Sequence, residues 1–121
     1  MKFIKGNILR GRKKSDAVHP IIFLEGHDDS YFVGAMITHS SNHNDNILML
    51  KDHFEETDSE NKKYRVYFDN THLVEAKLLK RLDWRPFVKV GQLSISGITF
   101  VEAKLKGLHP EVWEDYLKFS P

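Results

Sequence analysis

The chain has 121 residues, contains no cysteine and carries a formal net charge of +1, with 18 Lys and Arg against 17 Asp and Glu. This length suits one domain over residues 1–121, and a hydrophobic content of 40% is enough to build its core. The lack of cysteine excludes disulfides, thiolate zinc sites and a cysteine nucleophile, and the balanced charge excludes capture of nucleic acid by the field of the whole molecule.

Neither a membrane span nor a signal peptide is indicated. No apolar run approaches the roughly 20 residues that cross a bilayer, and residues 1–6 lack the apolar core of a signal peptide. We therefore expect a cytoplasmic protein that makes no membrane contact.

Charge is clustered along the chain although the total is balanced. Residues 2–14 hold six cations and no acid, whereas residues 52–60 hold five acids, with a sixth upstream at Asp45. Contact with a polyanion would therefore depend on a local cluster such as the basic loop 10–14. The alternative is that these segments are two solvated loops of opposite sign.

Short runs of β-branched and aromatic residues, bounded by Gly, Asn, Asp and Ser, predict a mainly β (α+β) protein. Seven strands of this kind are predicted, at 7–12, 19–24, 31–37, 47–50, 64–68, 72–79 and 98–102. Their number and spacing indicate a barrel or a sandwich. Continuous apolar runs indicate strands that are buried on both faces or that curve tightly in a small barrel.

Two segments do not fit the strand pattern. Residues 52–63 have almost no apolar content and are predicted to form an exposed loop with room for one helical turn. Residues 109–119 begin with Pro110 and Glu111, which suit the first turn of a helix. Their apolar residues recur near helical spacing, so we expect an amphipathic C-terminal helix whose apolar side lies on the barrel or on a partner subunit.

The stretch 18–40 concentrates the residues that could carry chemistry. It contains two apolar runs joined by a polar turn, a pattern that predicts an antiparallel hairpin. Such a hairpin brings His19, at the start of its first strand, beside Thr38 and His39, at the end of its second. The basic loop 10–14 precedes the first of these strands, so two imidazoles, hydroxyl groups and cations at one edge suggest a phosphate site.

Five segments follow one another in a recognisable order. They are a glycine-led strand at 6–10, the charged loop, a proline-led strand at 20–24, a strand ending Ile-Thr-His-Ser at 35–40, and Gly-Gln-Leu-Ser at 91–94. This order resembles the MazF/PemK family of toxin endoribonucleases, whose pattern has an Arg-Pro-apolar strand, a strand ending near Pro-Ile-Thr-Ser and a late Gly-x-Leu-Ser segment.

The resemblance implies a fold, an activity and partners. The fold would be a small SH3-like barrel of the MazF/PemK/Kid-like type with a C-terminal helix. The activity would be that of the toxin in a type II toxin-antitoxin system, a homodimer that cleaves single-stranded RNA without a metal or cofactor and is neutralised by a cognate antitoxin protein. Thr38 matches the threonine of the family's strand end, and Ser40 lies beside it. The departure is His19, which stands where the family has its catalytic arginine before proline.

The residues themselves suit RNA cleavage through the 2′-hydroxyl. That reaction needs a base for the hydroxyl proton, an acid for the departing 5′-oxygen, and donors or cations for the charged phosphorane. Imidazoles titrate near neutrality, so His19 and His39 are the candidate base and acid, with Thr38 as a hydrogen-bond donor. The candidate RNA-binding residues are Arg10, Arg12, Lys13, Lys14 and Ser40.

Other histidines offer weaker signals. His39 and His43 have a spacing that would need a helical backbone to converge on a metal, and their surroundings are loop-like, so no metal site is predicted. The remaining four, which show no partner spacing and are predicted to lie on the surface, are His27, His53, His72 and His109.

Two other functions stay open because His19 replaces the family's arginine. One is a catalytically inactive SH3-like module that binds RNA or a protein. The other is a barrel that binds only a protein, through the helix that contains Trp113.

Overall fold

The fold combines eight strands and two α-helices over the part of the chain that the structure describes. This computed structural model describes residues 3–11, 20–39, 46–64, 68, 70–84 and 87–119. Its strands are β1 (Asn7–Gly11), β2 (Ile21–Gly26), β3 (Tyr31–Thr38), β4 (Asn46–Leu48), β5 (His72–Val74), β6 (Leu78–Arg81), β7 (Phe87–Gln92) and β8 (Glu111–Val112). The helices are α1 (Ile95–Leu105) and α2 (Trp113–Phe119), and single 3₁₀ turns occur at Lys51–His53 and Leu82–Trp84.

The strands form one mainly antiparallel sheet in the order β4-β5-β3-β2-β1-β7. Strand β6 pairs with the first half of β3, whereas β5 pairs with the end of β3. Strand β8 runs parallel to β6. The expectation of a mainly β protein with a C-terminal helix is therefore confirmed.

The predicted hairpin is present as β2 and β3. Ile21 pairs with Met36, and the carbonyl oxygen of Pro20 accepts a hydrogen bond from the N–H of Ile37 at 3.2 Å. At the turn, the Asp28 carboxylate accepts the backbone N–H groups of Ser30 and Tyr31 at 2.8 and 2.9 Å. These bonds stabilise the ionised carboxylate and lower its pKa. The start of β2 consequently lies beside the end of β3.

Two apolar clusters cover opposite faces of the sheet. The first packs alternate residues of the central strands, such as Ile22 and Ala35, against Val101 of α1. The second packs the residues between them, such as Ile21 and Met36, around Trp113 of α2. Because side chains alternate along a strand, a strand buried on both faces reads as a continuous apolar run. Trp113 is only 2% exposed, so the apolar side of α2 lies on this sheet.

A short segment connects the two edge strands, β4 and β7. Six residues after β4, Phe54 bridges to Leu93, the residue that follows β7, and the Glu55 N–H donates to the Gln92 carbonyl at 2.8 Å. The Phe68 ring stacks on Phe54 at 4.9 Å and covers Gly91, where an added Cβ would lie 2.6 Å from that ring. Close packing thus gives a reason for the glycine in segment 91–94.

The predicted strand at 98–102 is wrong, because these residues lie in α1. The side chain of Ser94 caps this helix by accepting the N–H of Gly97 at 3.1 Å. Gly97 lies against the chain at His53, and a Cβ there would be 2.1 Å from the His53 carbonyl oxygen. A helix cap and a tertiary contact therefore override the strand propensity of Ile98, Thr99 and Val101.

Other elements also differ from expectation. The predicted strand 72–79 is interrupted at 75–77 and becomes β5 and β6, and β7 is an additional strand. The C-terminal helix begins at Trp113 because Glu111 and Val112 pair with β6 as β8. In the predicted loop 52–63, Lys51–His53 forms a 3₁₀ turn and Thr57 bridges to Lys63. Of the predicted strand 64–68, Tyr64 and Phe68 lie outside the strands, and 65–67 are outside the described residues.

Candidate functional site

Four polar residues lie at one end of the sheet, where β1 and β3 finish and β5 begins. We call them the strand-end cluster: Arg10, Thr38, His39 and His72. The strand registers place them at the same end of the sheet, because Leu9 pairs with Ile21 in β2, Pro20 lies beside Ile37 in β3, and Thr38 pairs with His72 in β5. Strand β2 separates Arg10 from the other three. Three of the four were predicted from the sequence, and His72 was not.

Thr38 is the last residue of β3, and its residue surface is only 7% exposed. It continues the face that carries Met36 in the second apolar cluster, since residues two apart share a face of a strand. Its side chain therefore lies where the packed interior gives way to the end of the sheet. A ligand would reach it from the strand end and not from the face of the sheet.

His72 lies directly opposite Thr38 on β5 and is partly buried. Its Nδ1 is 3.2 Å from the carbonyl oxygen of Asn70. Asn70 has a φ of 55°, in the left-handed region that asparagine tolerates better than most residues. This turn at the start of β5 aims the carbonyl back at the ring and fixes the orientation of the imidazole.

Arg10 and His39 are the exposed members of the cluster. Arg10 pairs with Val88 of β7, and Lys89 is also exposed on that strand. The Lys89 Nζ lies 5.9 Å from the centre of the Tyr64 ring. His39 follows β3 in a bend. The cluster thus combines one exposed cation with two imidazoles and a hydroxyl group, and Lys89 adds a second exposed cation on the adjoining strand β7.

The other predicted site residues fall outside the described residues: His19, Arg12, Lys13, Lys14 and Ser40. They remain expectations from the sequence. The described residues flanking them, Gly11, Pro20 and His39, all lie at the same end of the sheet as the strand-end cluster.

The prediction that His53 is a surface residue is wrong. Its residue surface is 8% exposed, and its ring packs on Phe100 of α1 at 4.3 Å between ring centres. Its Nδ1 accepts the N–H of Leu50 at 3.0 Å, and burial lowers the pKa of the imidazole against the opposing effect of Asp52. By contrast, His27 and His109 are exposed, as expected.

In the described ranges, no three His, Asp or Glu residues are grouped closely enough to hold a metal ion. Among the helices within those ranges, none has the length and apolar character needed to cross a bilayer.

Known proteins add nothing to the assignment of this site. No protein-family model, curated protein or solved structure matches the chain. The strand-end cluster and the chemistry of its residues are therefore the basis for assigning a function.

Proposed function

We propose that this protein is a metal-independent endoribonuclease that cleaves single-stranded RNA at the strand-end cluster. The observation that carries the proposal is the antiparallel register of β1, β2, β3 and β5, which places a guanidinium, a hydroxyl and two imidazoles at the same end of the sheet. These are the groups that binding and breaking a phosphodiester require. The MazF/PemK-like order of sequence segments points to the same chemistry.

The proposed reaction uses the 2′-hydroxyl of the RNA as its nucleophile. The 2′-oxygen attacks the adjacent phosphorus as it loses its proton, and the bond to the 5′-oxygen breaks as that oxygen gains one. The products are a 2′,3′-cyclic phosphate and a 5′-hydroxyl. His19 and His39 are the candidates from the sequence for the base and the acid, and Thr38 donates a hydrogen bond to a phosphate oxygen.

RNA would be held by cations close to the reacting groups. Arg10 makes a bidentate contact with the phosphate, and Lys13 and Lys14 attract the RNA backbone on either side of it. Arg12 and Ser40 complete the proposed contact surface. Because the net charge is only +1, this local cluster has to provide the attraction.

The wider assignment is a cytoplasmic toxin of a type II toxin-antitoxin system. A small SH3-like barrel suits it, because the segment that links β4 to the Phe54–Leu93 bridge joins the two edges of the sheet. A homodimer and a cognate antitoxin protein as partner belong to the same proposal.

The test is incubation of the purified full chain with long mixed-sequence single-stranded RNA in excess EDTA. We expect fragments with cyclic phosphate and 5′-hydroxyl ends, and the double variant His19→Ala/His39→Ala should cleave at least about 100-fold more slowly. His27→Gln is the matched control, because His27 lies at the opposite end of the β2–β3 hairpin. Intact RNA at high protein concentration would reject the proposal.

A second candidate is a catalytically inactive RNA-binding module. It is favoured by the burial of Thr38, which limits access to that hydroxyl, and by the histidine at position 19. Such a module would bind RNA without turnover, with an affinity that falls as salt rises. Arg10→Ala would reduce the slope of log affinity against log salt by about 1, whereas Lys106→Ala at the end of α1 would leave it unchanged. Failure to bind RNA at low salt would favour a module that binds only protein.

A further inference from the structure

We infer that His72 is a further catalytic residue of this site, with its Nε2 as the proton acceptor for the 2′-hydroxyl. The inference rests on the proposed function and deepens it, because it assigns the base to a residue that the sequence pattern passed over. It leaves the role of the acid to His39.

His72 lies beside Thr38 at the end of the sheet. His72 and Thr38 are opposite residues of an antiparallel pair, so their side chains lie on the same face of the sheet with Cβ atoms about 5 Å apart. His39 lies in the bend after β3, so the strand register does not assign its side chain to either face. Among the histidines that the structure describes, His72 is therefore the one that the register places beside Thr38.

The hydrogen bond at His72 Nδ1 determines the tautomer of the neutral ring. The partner of His72 Nδ1 is a carbonyl oxygen, which can only accept, so Nδ1 carries the hydrogen of the neutral imidazole. The other nitrogen, Nε2, then has a free lone pair, which is the state that a general base requires. The left-handed turn at Asn70 holds the ring in this state before any substrate arrives.

His53 has the opposite arrangement at its Nδ1. The Nδ1 of His53 accepts a backbone N–H, so the hydrogen of its neutral ring lies on Nε2 and the ring is packed against Phe100. The acceptor nitrogen of His53 is therefore used to stabilise the 3₁₀ turn at Lys51–His53. His72 is bonded through its donor and keeps its acceptor for a ligand.

The proposed step balances without a further reactant. As the 2′-oxygen forms its bond to phosphorus, its proton passes to His72 Nε2 and makes the ring an imidazolium. The bond from phosphorus to the 5′-oxygen breaks, and that oxygen takes a proton from the imidazolium of His39. The two rings exchange a proton with water to restore the starting state.

The test compares two replacements of His72 in the full chain on the same RNA. His72→Asn retains an amide donor near the position of Nδ1, whereas His72→Gln places an amide near Nε2, and neither can act as a base. We expect both to cleave at least about 100-fold more slowly than the original protein. The fall in rate at acid pH that protonation of the base causes should disappear from their pH profiles.

Two controls separate catalysis from structure. Binding of RNA that is 2′-O-methylated throughout, and so cannot react, should stay within about threefold of the original protein, and the thermal unfolding midpoint should stay within a few degrees. His27→Gln should keep both the rate and the pH profile.

Each outcome decides between the proposals. Full activity in both His72 variants would overturn the role of His72 and leave the endoribonuclease standing. Loss of activity with an unchanged pH profile, or with loss of binding to methylated RNA, would show that His72 acts structurally. An original protein that does not cleave RNA would overturn the proposed function and the role of His72 together.

Discussion

At the scale of single residues, His53 and His72 differ in the hydrogen-bond partner of Nδ1. His53 accepts the N–H of Leu50 through Nδ1, and His72 donates to the carbonyl of Asn70 through the same atom. The first bond survives only while the ring is neutral, since protonation would place a second hydrogen against the donor. The second bond is compatible with either charge state.

His53 is therefore expected to make stability depend on pH. Burial lowers its pKa below the ordinary value of 6.5, so the unfolded chain takes up the proton first as pH falls. The stability that the neutral ring contributes is present above pH 6.5 and is lost as pH falls below that value towards the lower pKa of the folded protein. Urea unfolding between pH 7.5 and 5 should show this decrease, and His53→Asn should flatten it.

His27→Gln is the control for this measurement. His27 is exposed on the turn after β2, so its replacement should leave the pH dependence of unfolding unchanged. A His53→Asn variant with the original slope would show that another group is responsible.

Single residues also show which parts of the site could be predicted from the sequence. Thr38 and His39 could be placed beside the start of β2 because hairpin pairing follows from two apolar runs and a polar turn. The pairing of Thr38 with His72 could not be predicted in this way, because it joins strands separated by more than 30 residues in sequence. The orientation of the His72 ring depends further on the left-handed backbone of Asn70, which no spacing reveals.

At the scale of elements, local propensity failed where tertiary contacts decide the structure. In α1, the hydroxyl of Thr99 donates to the Ile95 carbonyl at 3.0 Å, so this β-branched residue is accommodated in a helix. The hydroxyls of Ser94 and Ser96 donate to the Asp52 carbonyl at 2.6 and 3.1 Å, more than 40 residues away in sequence. These contacts anchor the helix start to the 3₁₀ turn, and the sequence pattern alone could not supply them.

The attachment of α2 to the sheet leads to a prediction about an ion pair whose lysine is buried and whose glutamate side chain is 39% exposed. The Lys80 side chain on β6 is 3% exposed; its Nζ lies 3.6 Å from Glu114 Oε1 and 4.7 Å from the centre of the Trp113 ring. Glu114→Ala leaves this buried ammonium without its carboxylate and should destabilise the protein by about 1–3 kcal/mol. Lys80→Met removes the charge and keeps the apolar stem, so it should cost less. Urea unfolding at neutral pH measures both.

The exposed pair of Arg81 and Asp83 provides the comparison. Its atoms are 2.7 Å apart, but both side chains are at least half exposed, so Asp83→Asn should change stability by no more than about 1 kcal/mol. If Lys80→Met were the more damaging of the two substitutions at the Lys80–Glu114 pair, the ammonium would be stabilised mainly by groups other than Glu114.

At the scale of the whole molecule, the central strands belong to both apolar clusters. Ile22 faces the cluster under α1, and its neighbour Ile21 faces the cluster around Trp113. Neither cluster can lose its packing without disturbing strands that the other needs. The two faces of the sheet should therefore unfold as one cooperative unit.

Two adjacent substitutions test this coupling. Ile22→Val and Ile21→Val each remove one methylene from a fully or nearly fully buried side chain, so each should lower stability by about 0.5–1.5 kcal/mol. Urea unfolding is followed by far-ultraviolet circular dichroism and, in a Trp84→Phe background, by Trp113 fluorescence. Both variants should shift the two transitions equally without changing their slopes, because one unit unfolds. Separate units would respond differently, since Ile21→Val would then shift the fluorescence transition alone.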